Sequence, residues 1–105
     1  MIMRAVLHGD VVAAACVLLA LPDTLRAKRL DRMLDEAAAA DMYRKKTGKG
    51  HPAWGNGSLM AAALHYPARA EPFLDDVDYC RCMALVFEAL VERRCRARAI
   101  SHGRR

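Results

Sequence analysis

A chain of 105 residues with a formal charge of +5 and four cysteines has room for one hydrophobic core. Its hydrophobic fraction of 54% rests on alanine and leucine rather than on β-branched or aromatic residues, which favours helices and argues against a sheet-rich fold. The charge is uneven, because residues 93–105 carry six arginines and no acid, while residues 1–92 hold 11 basic and 12 acidic side chains. The expectation is an all-α domain over residues 1–92, a small bundle of about four helices, with an arginine-rich basic tail over 93–105.

Gly9-Asp10 ahead of Val11 predicts a first helix over about 10–21, with Asp10 accepting from the unpaired amides of the first turn and Pro22 as the stop. The helix is apolar all the way round: Val12, Cys16 and Leu19 share one side, and Ala14, Leu18 and Leu21 cover the other. It must therefore be buried on two sides, either centrally or at a subunit interface. Arg4 before an apolar run that contains Ala13-Ala14-Ala15-Cys16 has the outline of an export signal. Asp10 interrupts the stretch, however, and the uncharged run from Val11 to Leu21 is too short to cross a bilayer.

Asp23 or Thr24 can cap a second helix that runs to about Thr47 and closes at Gly48, with Ala27, Leu30, Met33, Leu34 and Ala37 as its apolar stripe. The segment from Gly48 to Gly57 holds four glycines and a proline, which makes it the clear loop of the domain. Asn56 or Ser58 then caps a short third helix from Leu59 to about Tyr66, ended by Pro67. Asp75, with Asp78 three residues on, begins the last helix. Its expected core face is Tyr79, Cys80, Met83, Ala84, Phe87, Leu90 and Val91, with Leu85 stranded on the polar side. Arg94 and Arg98 take over that stripe, so burial should stop after Val91.

The loop around Lys49, His51, Asn56, Gly57 and Ser58 leads into a helix N-terminus, where exposed amides can hold an anion. It lacks the Gly-Lys-Ser/Thr ending of a phosphate-binding loop, and the plainer alternative is a tight turn in which Trp54 plugs the core. Asp41 falls within about 40° of the apolar stripe of the second helix, so it needs partners if buried. Those partners are the glycine loop's amides, His51 or the Trp54 indole, unless the helix end projects beyond the core. Cys80 and Cys82 point about 200° apart on a helix, and no second pair accompanies them, so neither a metal nor another cofactor is expected. All four cysteines (Cys16, Cys80, Cys82 and Cys95) fall in helical stretches, which suits reduced thiols in the cytoplasm.

The tail residues Arg93, Arg94, Arg96, Arg98, Arg104 and Arg105, with Arg44, Lys45 and Lys46 as a second cluster, can neutralise phosphates of a nucleic acid or simply form a solvated helix end. No aromatic residues interleave them, and no helix-turn-helix with a basic recognition helix is visible. The stretches LHGDVVAA, HPAWGNGSLMAAAL and EPFLDDVDYCRCMALVFEAL resemble a family of short, uncharacterised alphaproteobacterial helical proteins. That resemblance implies no activity and carries over no catalytic residue. The preferred expectation is a non-enzymatic helical module that docks a protein partner or a second copy, using Leu18, Leu21 and Leu85, for instance within a regulatory complex. A nucleic-acid accessory protein acting in transcription or DNA packaging is the alternative. A small enzyme or anion-binding protein using the 48–58 loop with Asp41 is third.

Overall fold

The computed structural model describes residues 4–103, with side chains to Arg98. Four helices follow in order: α1 (His8–Leu19), α2 (Asp23–Thr47), α3 (Leu59–Ala63) and α4 (Val77–Gly103). Among the described residues there is no strand, only a single bridge between His51 and Gly55.

α1 is the hub of the bundle, packed chiefly against α4 and α3, with α2 closing the remaining side. Val11, Ala14, Ala15, Cys16, Val17, Leu18 and Leu19 are all buried, so a helix that is apolar all round is enclosed within the monomer. Leu18 is fully buried, which removes it from the docking surface expected for it, while Leu21 is half-buried at the turn that follows. The core is completed by Leu30, Met33 and Leu34 from α2, Leu59 and Ala63 from α3, and Tyr79, Cys82, Met83 and Val86 from α4. Each large apolar side chain enclosed in this way contributes about 1.5 to 3 kcal/mol.

The helix ends differ from the sequence expectation in instructive ways. α1 begins two residues early, so Asp10 lies inside the first turn and its Oδ2 accepts back from the Leu7 N–H at 2.8 Å. Pro22, not Asp23 or Thr24, is the N-cap of α2, and α2 closes at Gly48 (φ 74°), whose N–H reaches the Arg44 carbonyl at 2.8 Å. Ser58 caps α3 by accepting from the Ala61 N–H, but α3 stops at Ala63 and the chain continues to Tyr66 as turns. Asp76, rather than Asp75, caps α4: its Oδ1 accepts from the Tyr79 N–H at 2.9 Å. α4 runs without a break across residue 92, where a separate tail was expected to begin.

The largest correction concerns which side of α4 faces inward. The buried residues are Tyr79, Cys82, Met83 and Val86, with Leu85, Ala89 and Leu90 partly buried against them. Phe87 is 49% exposed and Val91 62% exposed, while Cys80 and Ala84 are also on the surface. The helix is turned by about 90° from the expected face, at 100° per residue. Leu85 is therefore not stranded on a polar side, and Phe87 is not a core residue.

Candidate functional site

The polar residues that could carry chemistry are buried at four junctions, those of Asp10, Asp41, Arg26 and Glu36, and each is satisfied by other groups of the chain. At the first, the Asp10 carboxylate joins two helix starts. Its Oδ1 accepts from the Met60 N–H of α3 at 2.9 Å, while Oδ2 holds the Leu7 N–H. The Ala61 amide is taken by Ser58 Oγ and the Ser58 amide by Asn56 Oδ1. Three of the amides at this helix start, those of Ser58, Met60 and Ala61, are thus already engaged, one of them by a carboxylate of this chain. Lys49 is exposed, and its own N–H is held by Thr47 Oγ1.

The rest of that loop is a compact turn. His51 Nδ1 accepts from the Ala53 and Trp54 amides at 3.0 and 3.2 Å, which places the neutral ring's proton on Nε2. The imidazole stacks on the Trp54 indole, with ring centroids 4.5 Å apart, and meets the Tyr43 ring edge-on at 5.0 Å. Trp54 is half-buried and covers His51 instead of plugging the core. Gly57, at φ 96°, lets the loop press on α2: a Cβ there would lie 2.7 Å from the Asp41 Cα.

Asp41 is buried at 2% exposure, as its place on the stripe implied, but neither His51 nor Trp54 is its partner. Lys45 Nζ lies 3.0 Å from its Oδ2 and Arg44 Nη2 3.4 Å from its Oδ1. Burial pushes this carboxyl up, but the hydrogen bonds and charges of Lys45 and Arg44 outweigh that and hold it below the ordinary carboxylate range. Two members of the expected second basic cluster therefore share the single negative charge of Asp41, and Lys46 alone of the three stays exposed and unpaired among the described residues.

The third junction was not legible in advance. Arg26, only 5% exposed, donates from Nε to the Leu18 and Leu21 carbonyls at the end of α1. Its two Nη atoms grip both oxygens of Asp78 on α4 at 2.8 and 3.0 Å, and Nη1 also reaches Asp23 at 2.7 Å. The Arg26 hydrogen bond holds Asp78 below the ordinary carboxylate range. Further along α2, Glu36 accepts from the Tyr66 hydroxyl at 2.7 Å, with Arg29 lying over the Tyr66 ring. Tyr79 donates to Glu71 at 3.0 Å, and burial together with that bond pushes its phenol up to about 12. These contacts fasten helices and connections; none brings a nucleophile, a base and an open cavity together.

Among the described residues, the arginines past Val91 do not form one continuous basic surface. Arg93 folds back onto α2, where Nη2 meets Asp35 at 2.9 Å, and Arg96 pairs with Glu92 at 3.0 Å. Arg94 and Arg98 are exposed without an ion pair among the described residues, and Arg104 and Arg105 lie outside them. Cys16 and Cys82 are buried and Cys80 and Cys95 exposed, all four as free thiols. Among the described residues no three His, Cys, Asp or Glu side chains gather as a metal site, and no helix is long and apolar enough to cross a membrane.

What remains open is apolar. Val77, Cys80, Ala84, Phe87 and Val91, spaced alternately three and four apart, form a second stripe along α4 about 140° from its buried face. Phe73 and Leu74, just before the helix, are also exposed. The spacing was visible in the sequence, but the two apolar faces merge there into one broad stripe, and only packing separates them.

The chain belongs to the family described as Domain of unknown function (DUF7742), which matches residues 4–90. The match takes in all of α1, α2 and α3, the Arg26 and Asp41 junctions, and α4 as far as Leu90. No curated protein and no solved structure is similar to the chain.

Proposed function

We propose that this protein is a non-enzymatic docking module, a small helical bundle that offers the outer face of α4 to a protein. The observation that carries the reading is the exposed stripe of Val77, Cys80, Ala84, Phe87 and Val91 on a helix whose other apolar face is already used in the core. Surface apolar residues scattered singly need no explanation, but a row of them along one helix does. The buried polar groups support the same reading, since Asp10, Arg26, Glu36 and Asp41 all spend their hydrogen bonds inside the chain.

A nucleic-acid role through the arginines is the second reading, favoured by exposed Arg94 and Arg98. It is weakened by the pairing of Arg93, Arg96, Arg44 and Lys45 with acids of the same chain. Affinity capture from a cell extract with two variants tests one against the other. Phe87→Asp should abolish capture of a protein partner, and Arg94→Ala with Arg98→Ala should leave it intact. Capture lost only with the arginines, and weakening with added salt, would replace docking by nucleic-acid binding.

A further inference from the structure

We infer that the occupant of the outer α4 face is a second copy of this chain, paired through α4 in antiparallel orientation; the inference rests on the docking reading and names its partner. The seam Val77, Cys80, Ala84, Phe87 and Val91 has the alternating three and four spacing with which two helices interlock. A two-fold axis beside Ala84 sets Val77 against Val91 of the other copy and brings Cys80 close to the other copy's Phe87, so every apolar residue of the stripe meets another.

Charge selects the orientation. Arg81 and Glu88 flank the seam on one side, both exposed and without an ion pair among the described residues. Antiparallel pairing about Ala84 puts Arg81 of each copy opposite Glu88 of the other, twice over. Past Val91 the seam continues into Arg94 and Arg98, while its other end is preceded by exposed Asp75 and Asp76. A parallel pair would set Arg94 against Arg94 and Arg98 against Arg98, which like-charge repulsion opposes. The antiparallel pair sets Arg94 beside Asp75 instead and opposes the two helix dipoles. It also leads the far end of one α4 past Phe73 and Leu74 of the other copy, whose exposure the monomer does not account for. The interface is isologous, as closed two-fold dimers require.

The test is sedimentation of the full chain over a concentration series under reducing conditions. The mass should rise from 11.6 kDa toward twice that value. Phe87→Asp and Val91→Glu, on exposed positions, should raise the dissociation constant at least about tenfold without changing the melting temperature of the monomer, measured by dilution below that constant. Arg81→Glu and Glu88→Arg should each weaken self-association, and an equimolar mixture of the two should associate at least about tenfold more tightly than either alone, because only the mixed antiparallel pair restores both contacts. A monomer at every concentration overturns the inference. So does a dimer indifferent to Phe87→Asp, or a mixture no tighter than its components. A monomeric chain that still captures another protein in a Phe87-dependent way refutes the second copy and leaves the docking reading standing.

Discussion

Arg26 and Asp78, 52 positions apart in the chain, meet through two parallel hydrogen bonds of 2.8 and 3.0 Å, while the same guanidinium closes the end of α1. One side chain thereby ties α1, α2 and α4 together. Replacing it with methionine leaves the Leu18 and Leu21 carbonyls without their donor, and should cost about 3 kcal/mol. Arg26→Lys should recover less than half of that, because an ammonium cannot reproduce the fork. Asp78→Asn should cost the least of the three, since Asp78 is half in solvent. Urea unfolding midpoints of the three variants check the ordering.

Gly57 sits at φ 96° against the Asp41 backbone. Gly57→Ala combines a backbone strain with a clash against α2 that cannot be relieved by moving a flexible side chain, and should destabilise by about 2 to 3 kcal/mol. Gly48 also has a positive φ but no atom within 4 Å of an added Cβ, so Gly48→Ala should cost about 1 kcal/mol through the backbone alone. Thermal melts of the two proteins separate strain from contact.

Asp41 and Asp78 both lie below the ordinary carboxylate value of 3.8 in the fold. Groups depressed in this way add stability that is complete above the unfolded value and lost as pH falls through the folded one. Stability should be level down to about pH 5 and decline below about pH 4, with a shallower acid limb in Asp41→Asn and Asp78→Asn. Tyr79, pushed up from 10.0 to about 12, acts at the other extreme. Its neutral phenol contributes fully below pH 10, and that contribution is lost as pH rises from 10 toward 12, so Tyr79→Phe should flatten the alkaline limb. Denaturation midpoints across pH measure both limbs.

Phe87 and Leu34 should differ sharply in what their truncation costs. Leu34 is fully buried, and Leu34→Ala should cost about 2 to 5 kcal/mol. Phe87→Ala, at a half-exposed position, should cost under about 1 kcal/mol. A pair of chemical denaturation curves suffices.

The four-helix order was legible in residues whose effect is local: Pro22 as the break between α1 and α2, Gly48 after α2, Ser58 ahead of α3. Asp41 was legible as buried because its place on the stripe is a matter of helical period. Its partners were not, because the loop that packs on it approaches through Gly57 and brings no side-chain partner with it, so Lys45 and Arg44 of its own helix serve. Arg26 escaped for a different reason: nothing local shows that a surface-type residue will turn inward to close another helix. The inward face of α4 is not legible in the sequence because the helix is apolar over more than half its circumference. Tyr79, Cys82 and Val86 win the core only once α1 is in place, and Phe87 and Val91 are left outside.

The claim that the outer face of α4 is a docking surface is tested most directly by amide chemical shifts of the isotope-labelled chain across a dilution series. Concentration-dependent shifts are expected at Val77, Ala84, Phe87 and Val91, with Arg81 and Glu88 beside them, and none at exposed Lys28 and Arg32 of α2. Shifts confined to α2, or a spectrum unchanged by concentration and by added partner alike, would contradict it.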